Sequence, residues 1–419
     1  MKTNAKTVNG NDKDQFHFTR DTAEDLKNRL TATSAGYGIA LTFIRSAPPR
    51  EIRIAYVEPN SPAAAAGLTR GLKIISVDGE DVENGTNVAK LNGGLFPDAT
   101  GETHTLGIEA LDGTQSTVSV TSAEVTRAPV NESKTFERGG RKYGYVHFTT
   151  FGSEPAEKAL FDAFADLQSQ NIDDIVLDLR YNGGGFLAIA SQLSYMIAGA
   201  DRTNNKTFSE QVFNNKANGI NPVTGAVLRP TPFYKTGVDF TVATSVDAPS
   251  VNKPRVFVLT TGRTCSASEA VMNGLRGIDV EVIQIGTRTC GKPFGFYGTD
   301  NCGTTYHTIQ FKSVNAKGFG EYADGFAPGQ VISTAGDVMP GCQVPDDFGN
   351  ALGDPSEALL SSAVTYAETG ACPANTVAVA SAKADTFSFA YDPKLDLLKD
   401  PRVQAMEMDR VAMDYGLPE

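Results

Sequence analysis

Tryptophan is absent from this 419-residue chain, and histidine occurs only 4 times. No C-x-x-C pair exists among the five cysteines, so a zinc site of the usual Cys/His spacing is poorly supported. Lys and Arg number 37 against 49 Asp and Glu, a net charge of -12. Nucleic-acid binding needs a basic surface, so that class is set aside. No run reaches the ~18 apolar residues that a bilayer span requires, so no transmembrane segment is expected. The opening residues, Met1-Lys2-Thr3-Asn4-Ala5-Lys6, are polar and hold no apolar signal region. Either the protein is cytosolic or a signal has been removed.

What is present points to a globular, multi-domain chain. Hydrophobic residues make up 40% and charged residues 21%, enough to bury a sizeable core. At about 150 residues per domain, two to three domains are expected. Glycine occurs 41 times, so tight turns and close backbone approaches matter. Five cysteines allow fifteen ways of making two disulfides. The simplest are the local pairings Cys290–Cys302 and Cys342–Cys372, each closing a Gly-rich loop and leaving Cys265 over. An exported, oxidising setting is the expectation; the alternative is five reduced thiols in a cytosolic protein.

Along the chain, residues 1–14 read as a disordered start and 22–30 as a short helix. From Gly36 short strands with turn punctuation follow. Ile52-Arg53-Ile54-Ala55-Tyr56-Val57 reads as a half-buried strand. Ser61-Pro62-Ala63-Ala64-Ala65-Ala66-Gly67 reads as a short helix with proline at its first position and a glycine stop. Residues 71–82 form a hairpin with Asp78-Gly79 at its turn. The Gly36-Tyr37-Gly38-Ile39 stretch and the run from Ser61 to Gly79 resemble a PDZ domain in its circularly permuted bacterial form. The resemblance covers roughly 35–128. It implies a groove that binds a peptide by strand addition, with N–H groups of the Gly36–Ile39 loop holding a terminal carboxylate. Tyr37, Ile39 and Leu41 would line its pocket.

Beyond a polar link at 129–141, strand and helix patterns alternate. Residues 143–148 read as a strand and 154–171 as an amphipathic helix. Residues 175–179 and 256–260 are continuous apolar strands of the kind buried on both faces. Residues 186–198 read as a helix, and 200–253 as an irregular hairpin insertion. This order implies an α/β core with parallel strands.

Ser266 stands at a strand-to-helix junction, where helix N–H groups point at a developing anion. With Glu269 it also fits a capping box. A further strand leads into Gly291-Lys292. The Ser266-Ala267-Ser268-Glu269 block, Gly291-Lys292, and Asp178-Leu179-Arg180-x-Asn182-x-Gly184-Gly185 together resemble the S41 serine peptidases, the C-terminal processing peptidases. Gly183 replaces that family's proline.

The resemblance implies an α/β, ClpP/crotonase-like peptidase core behind a small β-rich PDZ domain. Its divisions are an N-terminal segment (1–34), the PDZ domain (35–128), the core (129–372, with the 200–253 insertion) and a C-terminal tail (373–419). It also implies Ser266 as nucleophile, Lys292 as base, and an oxyanion hole from the N–H groups of Gly184 and Ala267. A lysine serves as base only where burial disfavours its charged form, and Phe294, Phe296 and Tyr297 supply apolar walls. The family often carries an orienting glutamine four residues after the lysine. Phe296 stands there, and Gln310 is the candidate replacement.

His147 reads as a structural strand residue and Cys265 as a small buried one. The implied activity is endoproteolysis of polypeptides, with no cofactor and no metal, in an extracytoplasmic location, with an oligomer left open. The alternatives are a catalytically silent binding protein on the same fold, and a hydrolase using His147 with Asp324.

Overall fold

The computed structural model describes residues 16–46, 48–332 and 336–374. Nearly all of the expected C-terminal tail and most of the expected disordered start lie outside them.

Asp21 caps the first helix, Thr22–Thr31, its carboxylate accepting from the N–H groups of Ala23 and Glu24. A five-strand antiparallel sheet follows, in the order Ile39–Arg45, Glu51–Val57, Lys73–Val77, Thr103–Glu109, Gln115–Thr121. The short strand Glu80–Asp81 pairs with Lys73–Val77. Asp78 and Gly79 both have positive φ, 49° and 81°, as the two-residue hairpin turn demands. Ile52, Ile54, Ile74, Val77, Leu91 and Leu106 form this sheet's core. Ser61 caps the helix Pro62–Ala65 by accepting from Ala64 N–H.

The second sheet has six strands in the order Val130–Arg138, Arg141–Phe148, Asp174–Asp178, Arg255–Thr260, Glu281–Gly286, Gly341–Gln343. The first pair is antiparallel and the rest are parallel. Period-two alternation feeds both faces. Ile175, Leu177, Val256, Val258 and Val282 pack under the helices Pro155–Ser169, Leu187–Ala198 and Ala267–Gly277. Val176, Phe257, Leu259, Ile283 and Ile285 pack under Ala358–Thr369. The fold is therefore α/β: a small β-rich sheet domain and a core with parallel strands.

Two smaller sheets frame the core's upper edge. One runs Thr231–Pro232, Thr207–Val212, Phe311–Val314, Phe294–Gly295; the other joins Phe18–Asp21, Thr304–His307 and Gly298–Asn301. In the 200–253 insertion, the strands Thr207–Val212 and Thr231–Pro232 pair antiparallel.

The cysteine pairing differs from expectation. Cys342–Cys372 is a disulfide, but Cys290 pairs with Cys265, and Cys302 is free and exposed. Cys302 sits with φ 50° at the turn between Gly298–Asn301 and Thr304–His307, a hairpin that carries it into solvent. The Cys290 N–H instead donates to Thr264 O at 3.0 Å, which sets Cys290 beside Cys265. Cys265 is buried as expected, but as half of a bridge.

Candidate active site

Arg255–Thr260 and Glu281–Gly286 are neighbouring parallel strands, so the turns that leave their C-terminal ends lie side by side. The first turn ends at Ser266, the residue before the helix Ala267–Gly277, held at φ 58° and ψ -108°. A non-glycine residue persists in such a conformation only where its surroundings over-determine it. The second turn carries Lys292. Ser266 and Lys292 are 6% and 4% exposed and line the same cavity, with Gly185, Ala270, Phe294 and Tyr322 among its walls. The Lys292 ammonium nitrogen lies 4.8 Å from the ring centre of Phe16 and 5.0 Å from that of Phe296.

Glu269 joins the two turns. It is completely buried. One carboxylate oxygen accepts from the Ser266 and Lys292 N–H groups, each at 2.8 Å; the other accepts from Gly291 N–H at 2.8 Å and the Thr289 hydroxyl at 2.5 Å. Burial pushes this carboxyl up, and its four donors only partly offset that. Sequence reasoning read Glu269 as a capping residue. Its bonds to residues 289–292 span 20 to 23 positions and leave no local signal.

The Asn182-Gly183-Gly184-Gly185 turn meets the same place. Gly184 has φ 107°, and a Cβ there would stand 2.9 Å from Ser266 Cβ and 3.0 Å from Ala267 N, so only glycine fits. The Gly184 N–H donates to Asn182 Oδ1 at 2.9 Å, while Asn182 Nδ2 donates to Phe148 O at 2.8 Å. The turn is anchored below by Arg180, fully buried, which binds Asp178 at 2.6 Å, Glu357 at 2.9 Å and Asp346 at 3.0 Å. Burial alone would raise the Asp178 carboxyl, but the charges of Arg180 and His147 and the hydrogen bonds from Arg180 and Tyr145 together outweigh it and hold it down at about 2.

Gln310 lies immediately before the strand Phe311–Val314. Its side-chain oxygen accepts from Tyr297 N–H at 2.8 Å, bracing the loop that follows Lys292. His147 contacts Asn131 at 3.3 Å and Tyr56 edge-on at 5.3 Å between ring centres, and its neighbouring charges are Asp178, Arg180 and Arg70. Burial pushes its imidazole down to about 4. Asp324 gives its carbonyl oxygen to Arg288 at 3.0 Å. These surroundings make His147 part of the buried strand network.

In the small sheet, Gly38 has φ 79°, and a Cβ there would stand 2.3 Å from Ser61 Cβ. Tyr37, Ile39 and Leu41 lie in the core, because alternation along the strand turns Ile39 and Leu41 inward; Leu41 also lines a cleft beside the edge strand. The Tyr37 hydroxyl donates to Gly94 O at 3.1 Å. Gly36 precedes them at the end of the strand Thr33–Gly36. Ile39–Arg45 is an edge strand of its sheet.

The Cys265 and Cys290 sulfurs and a Glu269 oxygen lie within 4.8 Å of one another. They do not fit a cation: the sulfurs are bonded to each other, and each carboxylate oxygen already takes two donors.

A small antiparallel domain precedes a parallel-stranded core, and Ser266 and Lys292 stand in the turns that leave two neighbouring parallel strands. Residues 142–295 match the family model Peptidase family S41, and residues 53–91 match that of the PDZ domain. In these regions the chain is similar to peptidase family S41 and to the PDZ domain. The carboxyl-terminal-processing protease of Picosynechococcus is 32% identical over 140 residues, 32% of each chain. The chloroplastic C-terminal processing peptidase of Tetradesmus obliquus is 26% identical over 182 residues, 41% of this chain and 39% of its own. The matches thus span about a third of the length of these relatives. A solved structure described as an S41 protease, from Bacteroides fragilis, shares the fold with TM-score 0.60 at 24% identity, over 82% of this chain and 87% of its own.

Proposed function

We propose that the protein is a serine endopeptidase that cleaves polypeptides through Ser266 and Lys292. One observation carries the reading: Ser266 and Lys292 line one cavity while Glu269 fixes both of their backbones. Lys292 takes the Ser266 hydroxyl proton as the oxygen attacks a peptide carbonyl, then returns it to the leaving amine. Ala267 N–H, at the start of its helix, faces the developing oxyanion together with Gly184, whose N–H is exchanged from Asn182 Oδ1 to the substrate oxygen. Gln310 acts indirectly, by holding the 293–297 loop.

In this reading residues 35–128 are the PDZ domain and 129–372 the peptidase core. The outer edge of Ile39–Arg45 captures an extended substrate C-terminus by strand addition, with the Gly36–Ile39 loop at its carboxylate end. The two disulfides support an oxidising, extracytoplasmic setting. Among the described residues no helix is long and apolar enough to cross a membrane.

The test is cleavage of an unstructured polypeptide such as casein by the full chain and by Ser266→Ala. The variant should keep its far-UV spectrum and lose roughly a thousandfold or more in kcat. Cleavage at the unaltered rate by the purified variant would remove Ser266 from the mechanism.

A further inference from the structure

The peptidase reading asks two turns from different strands to hold a serine and a lysine in register. The structure ties those turns covalently: Cys265 immediately precedes Ser266, Cys290 lies two residues before Lys292, and the two cysteines are bonded. We propose that the Cys265–Cys290 disulfide is the brace of the Ser266–Lys292 pair, and that its reduction by a dithiol switches the peptidase off. The inference rests on the reading of Ser266 and Lys292 given above.

The bridge sits at the junction of every segment that forms the site. The Cys265 N–H donates to Asn182 O at 3.0 Å, which links the bridge to the turn carrying Gly184. The Cys290 N–H donates to Thr264 O at 3.0 Å. The Cys290 sulfur lies 3.5 Å from the Glu269 oxygen that binds the Ser266 and Lys292 N–H groups. In the disulfide that sulfur has no proton to give. Once reduced, Cys290 becomes an S–H donor beside an oxygen already taken by two N–H groups, and the two sulfurs must separate to van der Waals contact. Both changes act on the turn whose serine holds φ 58°. Cys342–Cys372 ties Gly341–Gln343 to the residues just beyond Ala358–Thr369 and includes neither turn.

Access favours one direction of attack. Cys265 is 6% exposed and Cys290 is half-buried. The dithiol's thiolate attacks Cys290 Sγ, the S–S bond breaks, and Cys265 Sγ leaves as a thiolate that takes up a proton. The reductant's second thiolate then displaces Cys290, which is protonated in turn. Two electrons and two protons pass to the protein, and the dithiol becomes a disulfide.

The full oxidised chain is titrated with dithiothreitol, each bridge is followed by mass mapping of free thiols, and kcat and KM for casein-type cleavage are measured at every step. As Cys265–Cys290 opens, kcat should fall by about ten- to a hundredfold, with KM changed by less than about twofold, the far-UV spectrum unaltered, and the rate restored on reoxidation. A Cys342→Ser/Cys372→Ser chain should start active and respond in the same way. Cys265→Ala/Cys290→Ala should show the low kcat without reductant; if it does not fold, the reversible titration decides alone. An unchanged kcat with Cys265–Cys290 fully reduced overturns the brace, as does a loss of rate that only follows loss of secondary structure. An oxidised chain that cleaves nothing overturns the peptidase reading and the brace with it.

Discussion

His147 shows how one buried side chain sets a pH limit. Its ring is fully enclosed, so the charged form loses solvation, and the imidazole titrates near 4. Unfolded, it titrates near 6.5. Between those values the unfolded chain binds the extra proton, so unfolding becomes easier as pH falls from 6.5 toward 4; above 6.5 the contribution is complete. The shift corresponds to about 3 kcal/mol. Urea unfolding of the wild type and His147→Gln at pH 7 and pH 4.5 should show the variant losing about 2–3 kcal/mol less on acidification; equal losses would place the proton uptake elsewhere. Asp178, held at about 2, does not titrate in that window. At this scale Ser266 and Lys292 were legible because their neighbours form recognisable blocks. Glu269 as a clamp, Gln310 as a loop brace and the partner of Cys290 were not, because each depends on contacts between segments far apart in sequence.

Among the elements, local pattern carried most of the information. The alternation of Ile52 and Ile54, the positive φ of Asp78 and Gly79, and the doubly buried 174–178 and 255–260 strands follow from residue type and spacing. The 200–253 insertion did not, since its short strands are fixed by partners such as Phe311–Val314 rather than by their own composition. Cys342–Cys372, a separation of 30 residues, was legible as a local pair. It fastens the final described helix to the sheet edge, beneath Ile283 and Ile285. Constraining a loop of that length stabilises by about 3.6 kcal/mol in the chain-entropy model. Cys342→Ser/Cys372→Ser should therefore unfold at lower urea, with an m-value equal to or larger than that of the wild type because the freed denatured chain is more expanded; an unaltered midpoint would show that helix packing alone holds the edge.

The arrangement of the whole molecule was the least legible, because docking is decided by a few long side chains. Arg70, from the small domain, binds Asp346 at 2.8 Å and the Tyr181 hydroxyl at 2.8 Å and lies over Phe348 at 4.8 Å. Tyr181 immediately precedes Asn182. Arg263, three residues before Ser266, donates to Leu41 O of the edge strand at 2.7 Å. A cleft lined by Leu41, Arg263, Gly183 and Gly184 runs from that strand to the glycine turn. The central claim remains the pairing of Ser266 with Lys292, and an acylating β-lactone tests it most directly. Incubated with the intact oxidised chain, it should add one acyl group, mapped by mass to Ser266, and almost none to Lys292→Arg, because arginine cannot surrender its proton in this range. An adduct on another residue, or equal acylation of Ser266 in Lys292→Arg, would contradict the account.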